Sequence, residues 1–131
     1  MRSTRRGPAD LAPEREAFEA ALGLVERAKE ALVDAVPRAR RPGRPLAEAL
    51  FEFEEGLREA ALLADRWWHP SVDAWWRACR DGIAEALARS ERLRVEGPEL
   101  SFEELAFTAQ DLIAPLEPFE GAARSVEELR S

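Results

Sequence analysis

Apolar residues recur every three or four positions along this chain, and proline punctuates the runs. Between Pro13 and Val36, Phe18, Ala21, Val25, Ala28, Leu32 and Ala35 are spaced 3, 4, 3, 4, 3. That spacing puts them on one stripe of an α-helix. Leu22 and Leu24 widen the stripe. Pro13 suits the first helical position, where its missing N–H costs nothing, and Pro37 ends the run.

A second helix is predicted over Leu46–Trp68. Leu46, Leu50, Phe53, Leu57, Ala60, Ala64 and Trp67 keep a strict 4, 3, 4, 3, 4, 3 spacing, a coiled-coil-like seam. Glu48, Glu52, Glu55 and Glu59 occupy the opposite face. Phe51 and Leu62 lie off the seam, so this helix carries apolar side chains on a second side. His69-Pro70 ends it, because a residue before proline avoids the α region. Ser71 is a suitable N-cap for a third helix over Val72–Val95. Its seam is Val72, Trp76, Cys79, Ile83, Ala86, Ser90 and Leu93, and Arg77, Asp81, Glu85 and Arg89 form a charged row.

A capping box, Ser101-Phe-Glu-Glu104, opens a fourth and shorter helix over Phe102–Ala114, with Phe102, Leu105, Ala109 and Leu112 inward. Pro115 and Pro118 end or kink it, and Ser125-x-x-Glu128 is a second capping box. The three long helices are each about 23 residues, or ~35 Å. Near-equal lengths with short connections predict an all-α, antiparallel up-down bundle of three long helices plus a shorter fourth. Residues 1–131 form one domain, with residues 1–12 a flexible tail, 37–45 an Arg/Pro loop and 117–131 an irregular acidic segment.

Composition narrows the function by exclusion. The single cysteine, Cys79, rules out an internal disulfide and a multi-cysteine zinc site. No apolar run approaches the ~20 residues of a membrane helix. The basic start lacks the apolar stretch of a signal peptide. A cytoplasmic protein with no membrane association is expected. Arginine supplies 18 of the 19 basic residues, a bias that points to a GC-rich bacterial genome. Charge runs from +3 over residues 1–45 to −3 over 46–95 and −7 over 96–131. An acidic C-terminal third argues against nucleic acid as the partner.

The densest candidate chemistry is "RWWHPSVDAWWR", residues 66–77, which holds all four tryptophans and the only histidine. Trp67 and Trp76 fall on the seams, whereas Trp68 and Trp75 flank them. Four buried indoles would hide about 600–1,000 Å², more than the ~300–600 Å² apolar patch a monomer usually exposes. Most of them are therefore expected to plug one end of the bundle. An interface through Trp68 and Trp75, or a pocket with an aromatic wall, is the alternative. Arg66 and Arg77 are placed to stack on the outer indoles.

Other chemistry is thin. His69 and Asp65 alone do not make a metal site, and no metal or cofactor is expected. Glu52-x-x-Glu55 resembles half of the magnesium motif of all-α nucleotide pyrophosphohydrolases. The next helix offers Asp81-x-x-x-Glu85, which breaks the pattern. Arg38, Arg40, Arg41 and Arg44 could bind an anion or an acidic partner from a solvated loop. The sequence thus favours a non-enzymatic interaction or scaffold module acting as a homodimer, with Trp67, Trp68, His69, Trp75, Trp76, Phe51 and Leu62 as candidate contacts. A ligand-binding bundle with a tryptophan-lined pocket, and a metal-dependent hydrolase, are the other readings.

Overall fold

The computed structural model describes residues 11–37, 43–96 and 99–128, and among these every regular element is a helix. The order is α1 (Ala12–Ala35), α2 (Leu46–Leu62), α3 (Ala64–Trp67), a 3₁₀ turn (Pro70–Val72), α4 (Asp73–Glu96), α5 (Phe102–Ile113), a second 3₁₀ turn (Ala114–Leu116) and α6 (Pro118–Glu128). Helix α1 packs on α2 and α3, α2 on α4, and α4 on α6 and the second 3₁₀ turn. Both α5 and α6 return to α1, so the packing closes on itself. None of these helices is long and apolar enough to cross a membrane.

The apolar stripes form the core as their spacing dictates. Phe18, Ala21, Val25, Ala28, Leu32 and Ala35 of α1 are buried against Leu50, Phe53, Leu57 and Ala60 of α2. Val72 of the first 3₁₀ turn and Cys79, Ile83 and Ala86 of α4 complete the wall. The continuous helix expected over residues 46–68 is instead two. Leu63 donates to the Ala60 carbonyl and accepts from Arg66, both i,i+3 bonds that tighten the backbone locally. Helix α3 is the short piece beyond that tight turn.

The C-terminal segment departs furthest from expectation. Residues 118–128 are helix α6, not an irregular tail, and Ser125 lies inside it rather than at a cap. Pro118 opens the helix, and Pro13 is likewise in the first turn of α1, where an N–H needs no partner. Phe119, Ala122 and Val126, spaced 3 and 4, are its buried stripe. Phe102, expected inward, is exposed, because α5 reaches the core through its later residues Ala109, Leu112 and Ile113. The Ser101–Glu104 capping box forms with both hydrogen bonds at 3.2 Å.

Two glycines allow close approach. A Cβ on Gly82 of α4 would overlap the backbone carbonyl of Pro115, and one on Gly121 of α6 would overlap the Trp75 ring. Helix α4 and the 114–121 segment therefore meet backbone to backbone and backbone to ring, at distances any larger residue forbids.

A carboxylate is also shut into this core. Glu54 of α2 is 0% exposed. Ser90 Oγ donates to it at 2.7 Å, and the Arg94 guanidinium donates to both of its oxygens, from Nε at 3.1 and 3.2 Å and from Nη2 at 2.9 Å. Arg58, one turn along α2, adds a longer contact at 3.4 Å. Hydrogen bonding to Glu54, then its charge, raises the Arg94 pKa further above its already high ordinary value, so the guanidinium stays charged. A buried carboxylate is tolerable only when its lone pairs are filled this way.

This network yields a ranking of variants in urea unfolding. Ser90→Ala removes one hydrogen bond to a charged group and is expected to cost about 1.5–3 kcal/mol. Arg94→Ala strands the carboxylate and should lower the midpoint more than Glu54→Met, which removes the charge together with the need to solvate it. The reverse order would show that the carboxylate is not held by Arg94. Gly82→Ala should also lower the midpoint, because a backbone carbonyl blocks its methyl group.

Candidate functional site

The structure separates the four tryptophans into different roles. Trp67, at the end of α3, is buried and meets the Phe18 ring edge to face, with centroids 4.9 Å apart and planes at 78°. Phe119 of α6 stacks on Phe18 at 6.1 Å and tilts against Trp67 at 6.5 Å. Trp76 is half-buried and donates its indole N–H to the Ala64 carbonyl at 2.9 Å, tying α4 to α3. The cation over its ring is Arg80, 4.8 Å from the centroid. Arg66 and Arg77 were the residues expected to stack. Arg80 lies one turn beyond Trp76 on the same face, whereas Arg77 is drawn to Asp73 at 2.9 Å.

Trp68 and Trp75 stay at the surface, 42% and 39% exposed. Trp68 donates to Asp73 Oδ1 at 2.8 Å. That hydrogen bond, and secondly Arg77, hold the Asp73 carboxyl below its ordinary range. Trp75 leans on Gly121 and walls a groove of about 440 Å³ with Pro115, Pro118, Glu117 and Arg124. His69 makes a backbone contact: its Nδ1 accepts from the Ser71 N–H at 3.1 Å and so caps the 3₁₀ turn, and Ser71, expected to cap the third long helix, lies inside that turn instead.

Helix α2 shows a different kind of surface. Phe51 is 53% exposed and Leu62 80% exposed, both on the side away from the buried Phe53, Leu57 and Ala60. Glu55 and Arg58 lie between them on the same stripe and are exposed. Arg58 reaches Glu91 of α4 at 3.5 Å, and Val95, one turn past Glu91, is 79% exposed.

The carboxylates considered for a metal form no group of three or more among the described residues, although Glu52 and Glu55 line one groove. Glu52 pairs with Arg44, and Glu55 lines a shallow groove between α1 and α2 with Arg27. On α4, Glu85 pairs with Arg89 at 2.7 Å, and Asp81 is exposed. Among the described residues no three His, Cys, Asp or Glu side chains group so as to hold a metal ion. Arg38, Arg40 and Arg41 lie outside the described residues. Arg44 is committed to Glu48 at 2.8 Å and to Glu52, and its N–H donates to the Asp34 carbonyl at 3.0 Å. Cys79 is buried, which pushes its thiol up to about 12 and leaves it unreactive at neutral pH.

No protein-family model matches the sequence, and no curated protein or solved structure matches it.

The Trp68–Asp73 contact has a pH signature. A carboxyl depressed in the folded state stabilises it above the unfolded pKa of about 3.9. That contribution is lost as pH falls through the lower folded value. The difference in melting temperature between the wild type and Asp73→Asn should be largest near neutral pH and vanish in acid. Trp68→Phe should move that loss to higher pH. An unchanged profile in Trp68→Phe would show that Arg77 alone sets the acidity of Asp73.

Proposed function

We propose that this chain is a non-enzymatic protein-interaction module that acts as a homodimer in the cytoplasm. Its helices form an antiparallel up-down bundle in which α5 and α6 together supply the fourth member. The observation that carries this reading is the outward face of α2. Phe51 and Leu62 project from the side opposite the core. Single exposed apolar residues are ordinary. Two large ones on one outward stripe of a single helix are the kind of surface a partner covers. Sedimentation equilibrium should give a mass that rises from one chain towards two across micromolar concentrations. Leu62→Glu should hold it at one chain with an unchanged helical circular dichroism spectrum. A single-chain mass for the wild type at every concentration up to hundreds of micromolar overturns the proposal.

A second reading rests on the groove beside Trp75. At about 440 Å³ it falls within the usual ~300–1,000 Å³ of small-molecule sites, with apolar walls and a few charged groups at the rim. It supports a bundle that binds a small apolar ligand. Anilinonaphthalene sulfonate should then quench part of the tryptophan emission in a saturable way, and Trp75→Leu should abolish the effect. Equal quenching in Trp75→Leu removes this reading.

A further inference from the structure

At ~100° per residue, Phe51, Glu55, Arg58 and Leu62 of α2 fall within an arc of about 60°. Their order along the helix is apolar, acidic, basic, apolar. Phe51 and Leu62 are equidistant from the peptide bond joining Gly56 to Leu57. Glu55 and Arg58 are equidistant from the same bond. The stripe is therefore complementary to itself under a two-fold rotation about one point.

We infer that the partner covering this face is a second copy of the chain, docked with the two α2 helices antiparallel and crossing at Gly56–Leu57. In that arrangement Phe51 of each copy packs on Leu62 of the other, and Glu55 of each faces Arg58 of the other. The inference rests on the self-association proposed above and adds its axis and register. A closed two-fold interface requires this reciprocity, in which one residue meets a second and the second meets the first. A parallel pairing would set Glu55 against Glu55 and Arg58 against Arg58, and like charges across an interface oppose it. Both groups have bonding capacity left for the contact. Glu55 carries no ion pair among the described residues. Arg58 holds Glu54 and Glu91 only loosely, at 3.4 and 3.5 Å, and a guanidinium has five donors to share. Helix α2 spans about 25 Å. One helix pair of that length sits at the small end of the ~1,200–2,000 Å² range for stable interfaces. The dimer should therefore dissociate in the micromolar range, and the ion pair should select the orientation more than it adds affinity.

Cysteine cross-linking reads the register directly. Phe51→Cys and Leu62→Cys chains are purified separately, oxidised alone or as a mixture at a concentration where the wild type is dimeric, and run on non-reducing gels. Cys79 is buried and stays silent. The two sites are about 16 Å apart along one helix at ~1.5 Å per residue, too far for a bond within a chain. The mixture should give a covalent dimer, and each variant alone should give at least tenfold less. The surviving Leu62–Phe51 contact on the other side of the axis holds the mixed dimer together. Cross-linking of either variant alone to the same extent as the mixture overturns the antiparallel register. A wild type that sediments as a dimer with no cross-link in the mixture overturns this register while keeping self-association. A wild type that sediments as one chain overturns both.

Discussion

A carboxylate that cannot reach water sets the constraint on which the rest of this structure depends. Glu54 is inside, so its charge must be met inside, by Ser90 and by the forked guanidinium of Arg94. Both partners lie on α4, one turn apart. The contact therefore fixes how far α2 slides along α4 and how α2 is rolled about its own axis. Apolar packing alone is more forgiving, because a leucine seam accepts small shifts that a bidentate ion pair does not. Rolling α2 so that Glu54 faces α4 leaves Phe51, Glu55, Arg58 and Leu62 facing outward. The buried charge thus determines which surface the protein presents.

The C-terminal half is fitted by a different device. Helix α4 is open to close approach at Gly82, where the carbonyl of Pro115 rests, and α6 is open at Gly121, where the Trp75 ring rests. Phe119 then reaches Phe18 and Trp67 and closes the ring of helices. Tryptophan here is an architectural residue in two cases, Trp67 and Trp76, and a surface residue in the other two. The polar ends of the indoles explain part of this division. Trp76 spends its N–H on a backbone carbonyl, and Trp68 spends its own on an exposed carboxylate.

Much of the fold was legible in the sequence because periodicity and proline are local signals. The buried stripes of α1 and α2 and the Ser101 cap could be read residue by residue. What escaped reading was non-local. Glu54 sits among Glu48, Glu52, Glu55 and Glu59, and only the partners on α4, some forty residues on, distinguish it from a solvated neighbour. Its position between Phe53 and Leu57 on the inward side was the available signal. Helix α6 was hidden by its charge and by Pro118, although Phe119, Ala122 and Val126 already carried a helical spacing. The break at Leu63 has no evident sequence mark. The candidate interface was visible as two off-seam residues, but its symmetry emerged only once the face of α2 was known to point away from the core.

The Phe18–Phe119 contact joins positions about a hundred residues apart. Helix pairs such as α1 with α2 can form early, since their contacts are near in sequence. The aromatic cluster cannot, because it waits for α6 to return to α1. Contacts that distant slow folding and bind early and late segments into one transition. Until α6 arrives, Trp67 and Phe18 lack one of their walls, so the N-terminal helices are only partly satisfied by their own neighbours. This chain should accordingly behave as a single cooperative unit, in which loosening the last helix is felt at the first.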